Sequence, residues 1–303
     1  MANPNFKENK LKRAIAKTLQ PILRMVSKRL YVSLQYRYIT GHKLNWNKLE
    51  RYTEKLQYLR LYVYPKNPKV IQAAGRVGAR ELVKSKGYSD LLIPIYGVYQ
   101  NFAQIKFAKL PDEFVIKASH ASGYNYICHN KNSLDLKMLE KYFTKCLKTN
   151  YGKKTVEPHY NKIKPSLIIE KYIGEGDALP VEYKIHCFNG KARYLYVVTN
   201  RGQEIRYNNF YIDWTPFNDA QFNHWKTSKQ KLKAPKNFDL MVEIAEKLSE
   251  DFPFVRIDLY NVDGKIYFSE FTFTPAKGTL IFENEKADYE IGSWLDIKKI
   301  NKN

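Results

Sequence analysis

Val255-Arg256-Ile257-Asp258-Leu259-Tyr260, followed after a polar break by Tyr267-Phe268-Ser269-Glu270-Phe271-Thr272-Phe273, is the stretch on which the fold turns. Both runs are rich in β-branched and aromatic residues, and the break contains Gly264, so they read as a β-hairpin. Each strand nevertheless carries an acid among apolar neighbours. A three-residue loop Val262-Asp263-Gly264, with Gly264 left-handed, pairs Tyr260 with Ile266, Asp258 with Phe268 and Arg256 with Glu270. Arg256, Asp258 and Glu270 then share a face. A four-residue loop sends Glu270 to the other face, because side chains alternate along a strand. Two carboxylates and an arginine on one face suit Mg²⁺ held against a phosphate, since Mg²⁺ takes one or two carboxylates and completes its shell with water and phosphate oxygens. The same residues would also make a cross-strand ion pair on a solvated surface, and the hairpin alone leaves both readings open.

With 303 residues, 44% of them hydrophobic, the chain can bury a large core in one elaborate domain or in two or three lobes. No apolar run approaches bilayer-spanning length, and the N-terminus lacks the apolar core and cleavage site of a secretory signal. The expected location is the cytoplasm, with peripheral attachment at the inner membrane face as a further expectation. Cys128, Cys146 and Cys187 are too scattered for a disulfide framework and form no C-x-x-C pair, so they read as buried thiols. The net charge of +21 predicts attraction to a polyanion or an anionic membrane. Nucleic acid is not the expected partner, because zinc-finger, RNP-type and heptad-plus-basic patterns are missing from the sequence. An acidic polysaccharide, a nucleotide substrate or anionic lipid remains.

Along the chain, residues 7–30 space Leu11, Ile15, Leu19, Ile22, Val26 and Leu30 as a basic amphipathic helix, bent at Pro21, within an N-terminal segment 1–43. Its apolar stripe suits packing on the protein better than lying on lipid. Helices over 44–62 and 70–86 and a short strand within 91–98 make a small α/β lobe over 44–108. The segment 109–180 holds the strand Phe114-Val115-Ile116-Lys117, a helix over 134–148 and a buried strand over 166–173. In 181–303, Asn189-Gly190 marks a hairpin within 182–198, residues 203–235 read as irregular, and 236–250 is an amphipathic helix leading into the acidic hairpin.

Lys117 at a strand end, followed by Ser119, His120, Ser122 and Gly123, suits phosphate: an ammonium neutralises the oxygens while backbone N–H groups and hydroxyls wrap them. Glu170-Lys171-Tyr172-Ile173 offers a strand edge for a purine, and Asp177, a few residues on, an acceptor for a ribose hydroxyl. Each is also readable as a plain strand and turn.

Taken in order, these elements resemble the ATP-grasp superfamily, and within it the TupA-like group of capsule, O-antigen and teichuronopeptide gene clusters. The resemblance rests on Leu44-Asn45-Trp46 with Glu54-Lys55-Leu56-Gln57, Ile95-Tyr96-Gly97-Val98, Leu110-Pro111 with Phe114-Val115-Ile116-Lys117, and Ile169-Glu170-Lys171-Tyr172-Ile173. It continues through Tyr183-Lys184, Cys187-Phe188-Asn189-Gly190, the run 254–260 and Glu270-Phe271-Thr272-Phe273-Thr274-Pro275. It implies an α+β ATP-grasp fold, with the nucleotide between two α+β lobes and a small N-terminal α/β lobe. It also implies ATP and Mg²⁺. Lys117 would contact the α- and β-phosphates under a lid from Ser119 to Gly123; Glu170, Lys171 and Ile173 would line adenine, and Asp177 the ribose. Asp258, Glu270 and Thr272 would bind Mg²⁺, Thr272 standing where many members place Asn. Arg256 would stabilise charge on the transferred phosphoryl, and Lys184 would approach the γ-phosphate. The group also carries an Asp-Lys pair where this chain has Ala74-Gly75-Arg76, a departure that bears on acceptor recognition.

The activity so implied is ATP-dependent carboxylate-amine ligation through an acylphosphate, joining an acidic sugar or polysaccharide carboxylate to a small amine. A kinase acting on a sugar hydroxyl keeps the same fold. A glycosyltransferase would want an Asp-x-Asp-type site, of which Asp288-Tyr289-Glu290, in a turn-like context, is the nearest approximation. A non-catalytic polyanion-binding protein follows from charge alone. His159, His186 and His224 read as structural residues.

Overall fold

A computed structural model describes residues 22–228 and 231–300. The fold is α+β, built on two antiparallel sheets. The smaller has the order β1-β4-β2-β3, from Ile95–Tyr99 (β1), Phe114–Ala118 (β2), Asn125–Cys128 (β3) and Leu167–Lys171 (β4). The larger has the order β7-β6-β5-β8-β9, from Glu182–Phe188 (β5), Lys191–Thr199 (β6), Arg206–Tyr211 (β7), Phe254–Val262 (β8) and Lys265–Thr272 (β9).

Each sheet has its own core. On the smaller, the helix Leu136–Lys148 lays Leu139, Phe143 and Cys146 against Phe114, Ile116, Leu167 and Ile169. On the larger, the helix Phe238–Ser249 buries Met241, Ile244, Ala245 and Leu248 among Ile185, Cys187, Val255 and Ile257. All three cysteines are buried and free, as the sequence led us to expect. Among the described residues, no helix is long and apolar enough to cross a membrane.

Several elements differ from the sequence reading, each for a local reason. The single helix expected over 70–86 is two, Pro68–Ala74 (α1) and Arg76–Ser85 (α2), because Gly75 is extended and a Cβ there would meet Ile163 Cγ2 at 2.8 Å. The helix expected over 44–62 starts only at Tyr52, then widens to a π-turn over Leu59–Val63. β1, within the segment 44–108, pairs with β4 of the segment 109–180, so one sheet spans the boundary expected at residue 108. Strand β7 lies in the region read as irregular, and Asp288-Tyr289-Glu290 lies in the helix Glu285–Ser293 rather than in a turn. Residues 7–21 of the expected basic helix lie outside the described residues; within the rest, Ser27 is extended and caps a new helix, Lys28–Thr40.

Candidate active site

The acidic hairpin closes differently from the expected three-residue loop. Val262 pairs with Lys265 around a two-residue turn, Asp263 and Gly264, both left-handed at φ 51° and 84°. Asn189-Gly190 makes the same kind of turn at φ 49° and 75°. From that turn the ladder runs through Tyr260 with Tyr267 and Leu259 with Phe268. A regular continuation would set Asp258 opposite Ser269 and turn Glu270 away from it. Instead a bulge leaves Ser269 unpaired, so Asp258 faces Glu270 directly and Arg256 faces Thr272. The expected shared face is real; the expected pairings are not.

On that face the side chains form a closed electrostatic group. Asp258 is fully buried, and its carboxylate accepts from Arg256 Nε at 2.6 Å and Nη2 at 2.7 Å, with Lys184 on Oδ2. Lys184 stands opposite Asp258 on β5 and also meets Glu182 at 2.9 Å. Burial alone would raise the Asp258 carboxyl, but Arg256 and Lys184 outweigh it and hold it below its ordinary value. Burial would likewise lower the Lys184 ammonium, yet Asp258 and Glu182 keep it raised. Thr272 accepts from Arg256 Nη2 at 3.0 Å and donates to Glu270 at 3.2 Å. Glu270, about a third exposed, turns its remaining oxygen towards Arg76 Nη2 at 3.7 Å.

Arg76 joins the two sheets, and its only sign in the sequence is indirect, the departure at Ala74-Gly75-Arg76. It opens α2, its amide donates to Ser119 O at 2.9 Å, and its Nε donates to Ala118 O at 3.3 Å, so it is tied to the end of β2. Lys117, also on β2, meets Glu170 at 2.5 Å, and Arg80 lies 3.9 Å from the same carboxylate. Burial would raise Glu170, but Lys117, Arg76 and Arg80 keep it lowered. Charges therefore run from Lys117 and Glu170 across Arg76 to Glu270, Arg256, Asp258 and Lys184. Arg80 was not anticipated and carries no local signature.

The remaining expected contacts are placed unevenly. Ser122 lines the cavity beside Arg76, and Tyr151 forms a hydrogen bond with it. Gly123 follows at φ 78° with open space around it. Ser119 and His120, expected on phosphate, are buried and turned elsewhere: Ser119 Oγ lies 2.7 Å from Ser166 Oγ, and His120 Nε2 is 3.2 Å from Cys146 O. Lys171 is exposed and its amide is taken by Pro94 O at 2.8 Å, while Glu170 is paired on both sides, with Ile95 and Val115. A purine edge would thus find unpaired backbone only past Lys171, at Tyr172 and Ile173. Asp177 is exposed, 3.6 Å from His129.

A cavity of about 260 Å³ opens beside Arg256, Glu270 and Thr272 and extends to Tyr151, Glu157 and Lys277. It falls below the roughly 300–1,000 Å³ of sites for drug-sized ligands, so it suits a phosphoryl group and a small acceptor rather than a whole nucleotide. The hard oxygen donors Asp258, Glu270 and Thr272 on one face fit Mg²⁺. Glu270 is the accessible member, since Asp258 meets a cation only by releasing Arg256 or Lys184.

The sequence matches the family model described as TupA-like ATPgrasp over residues 54–296. None of the curated proteins matches it. Among solved structures, D-alanine–D-alanine ligase from Bacillus anthracis complexed with ATP is similar at a TM-score of 0.50 and 13% identity, over 77% of this chain and 69% of that one. L-amino acid ligase from Bacillus licheniformis is similar at a TM-score of 0.43 and 14% identity, over 91% of this chain and 57% of that one. At 13% identity the likeness to the Bacillus anthracis ligase is one of fold.

Proposed function

Because the chain belongs to the TupA-like ATP-grasp family, we propose that it is an ATP-dependent carboxylate-amine ligase with its chemistry at the Arg256–Asp258–Glu270 face. The observation that carries this reading is the run of charges from Lys117 to Lys184, with Arg76 between the two sheets and with Arg76, Arg256 and Glu270 lining one cavity. Phosphoryl transfer asks a protein chiefly for positioning and charge neutralisation, and that is what these residues offer. Lys117 and Arg76 would hold the phosphates from the smaller sheet, Arg256 and Lys184 from the larger. Mg²⁺ held by Glu270 and Asp258, with Thr272 at their side, would offset phosphate charge. A substrate carboxylate would attack the γ-phosphate to give an acylphosphate and ADP, and an amine would then displace phosphate to form the amide. The net charge of +21 favours an acidic sugar or polysaccharide precursor as the carboxylate donor.

ADP release measured across uronic acids paired with amino acids and amino alcohols tests the reading. The ligase requires a carboxylate and an amine together. ADP release accompanied by a phosphorylated sugar, with no need of an amine, would identify a kinase instead. ADP release with neither acceptor present, or none under any pairing, contradicts the ligase assignment.

A further inference from the structure

One end of the cavity is electrically incomplete. Glu157 is 4% exposed and lines it, yet the only hydrogen bond to its carboxylate among the described residues comes from the Thr274 hydroxyl, and no lysine, arginine or histidine forms an ion pair with it there. The Tyr151 and Tyr160 phenols beside it are pushed up by burial and then by Glu157 itself, so both stay neutral, and the cations whose charge reaches Glu157, Arg60 and Lys277, do so without a hydrogen bond to its carboxylate. Across the same cavity the half-buried Lys277 side chain makes no hydrogen bond or ion pair among the described residues. Glu157 and Lys277 thus feel each other's charge across the cavity without a direct ion pair, and a ligand that carries both opposite charges can complete each of them.

The spacing of the two is fixed from behind. Arg60, fully buried, donates to Thr155 O at 2.5 Å, to Val156 O at 2.8 Å and to Lys277 O at 3.1 Å. One guanidinium therefore anchors both the backbone leading into Glu157 and the backbone carrying Lys277. Both segments are held left-handed at non-glycine residues, Val156 at φ 56°, Ala276 at 47° and Lys277 at 58°. Such conformations are strained for residues with a side chain and persist only where the surroundings impose them.

We propose that this end of the cavity binds a zwitterionic amino acid as the amine substrate, its ammonium on Glu157 and its carboxylate on Lys277. The assignment rests on the ligase reading for the fate of the amine, but the binding is independent of it. A hydroxyl acceptor would leave Glu157 without a cation.

The test is calorimetric titration of the common amino acids into the full chain saturated with Mg²⁺ and a non-hydrolysable ATP analogue. At least one amino acid should bind. Its hydroxy-acid analogue and its decarboxylated amine should bind roughly 10- to 100-fold more weakly, as should the amino acid to Glu157→Gln and Lys277→Met, since each loses one charged hydrogen-bond pairing. Binding of no amino acid, equal affinity for the hydroxy acid, or unchanged affinity in Glu157→Gln overturns the proposal. The analogue comparison uses the wild-type chain alone, so it decides the matter even where a variant does not fold. ADP release with unaltered amine affinity in Glu157→Gln would spare the ligase reading and sink this one; charge-selective binding without turnover would do the reverse.

Discussion

Replacing Asp258 by asparagine keeps the side-chain volume and removes one negative charge from a fully buried position. Two Arg256 nitrogens and Lys184 currently rest on that carboxylate. The amide leaves one acceptor and puts an NH₂ group among donors, while among the described residues Arg256 keeps only Glu270 at 3.9 Å and Lys184 only Glu182 at 2.9 Å as anionic partners. Breaking a buried pair in this way typically costs about 3–5 kcal/mol, and the retained amide oxygen argues for about 3. For a chain larger than 250 residues each kcal/mol moves the midpoint by about 2 °C, so thermal unfolding should begin about 6 °C lower. Adding Lys184→Met should recover part of that loss, because the uncompensated ammonium is then gone; the coupling is read from the double-mutant cycle. In ADP-release assays, Asp258→Asn should fall by roughly two to four orders of magnitude if the carboxylate acts in the transition state. A midpoint within about 1 °C of wild type refutes the electrostatic account, and near-normal ADP release refutes the metal assignment.

Arg60→Lys should cost about 3 kcal/mol in urea unfolding, since an ammonium with three donors cannot replace a fork that serves Thr155, Val156, Gln57, Gln35 and Lys277 together; an unchanged midpoint would mean the anchor is dispensable. Gly278→Ala should be destabilising in the same assay: the residue sits at φ 69°, and a Cβ would lie 2.4 Å from Gln57 Nε2, a side chain already fixed on Gly278 O at 2.6 Å. The pH dependence has a definite sign. Burial, then Arg60, pushes His159 down from 6.5 to about 3, and burial, then Arg256 and Lys184, pushes His186 well below 6.5. Their contribution is complete above pH 6.5 and is lost as pH falls. Burial raises Asp288 from 3.8 to about 6, so its contribution is complete below 3.8 and is lost as pH rises through 6. Between pH 7 and 5 both histidines lower stability, His159 by about 2 kcal/mol, while Asp288 returns about 1 kcal/mol, so stability falls on acidification. Urea midpoints at pH 7 and 5 that coincide would contradict it.

What was legible in the sequence is what strands encode. Apolar strands with an intruding charge pick out Lys117, Arg256, Asp258 and Glu270, Lys184 follows from the family resemblance, and Asn189-Gly190 marks its hairpin by turn chemistry. The same logic misjudged the acidic turn, since Asp263-Gly264 makes a two-residue loop as readily as Val262-Asp263-Gly264 makes a three-residue one. By itself that turn would have separated the acids. The Ser269 bulge restores their opposition, and a bulge leaves no periodic trace for a pattern to detect.

The parts that were not legible lie between the strands, and there the determinant is tertiary. Nothing local in Glu157-Pro158 or Ala276-Lys277 separates a surface charge from one aimed into a cavity; the difference is made by Arg60, almost a hundred residues from Val156 and more than two hundred from Lys277. Ser119 and His120 show the converse, a small polar loop that reads locally as phosphate-binding but spends its hydroxyl on Ser166 and its imidazole on Cys146 O. The strand-borne charges are those that any phosphoryl transfer on this fold could use. The loop-borne pair, Glu157 and Lys277, depends on contacts particular to this chain, so selectivity between acceptors should respond to those two positions and to Arg60 while the nucleotide half-reaction responds to Arg256 and Lys184. A variant of Glu157 that alters ATP affinity as strongly as amine affinity would show that this division of labour is mistaken.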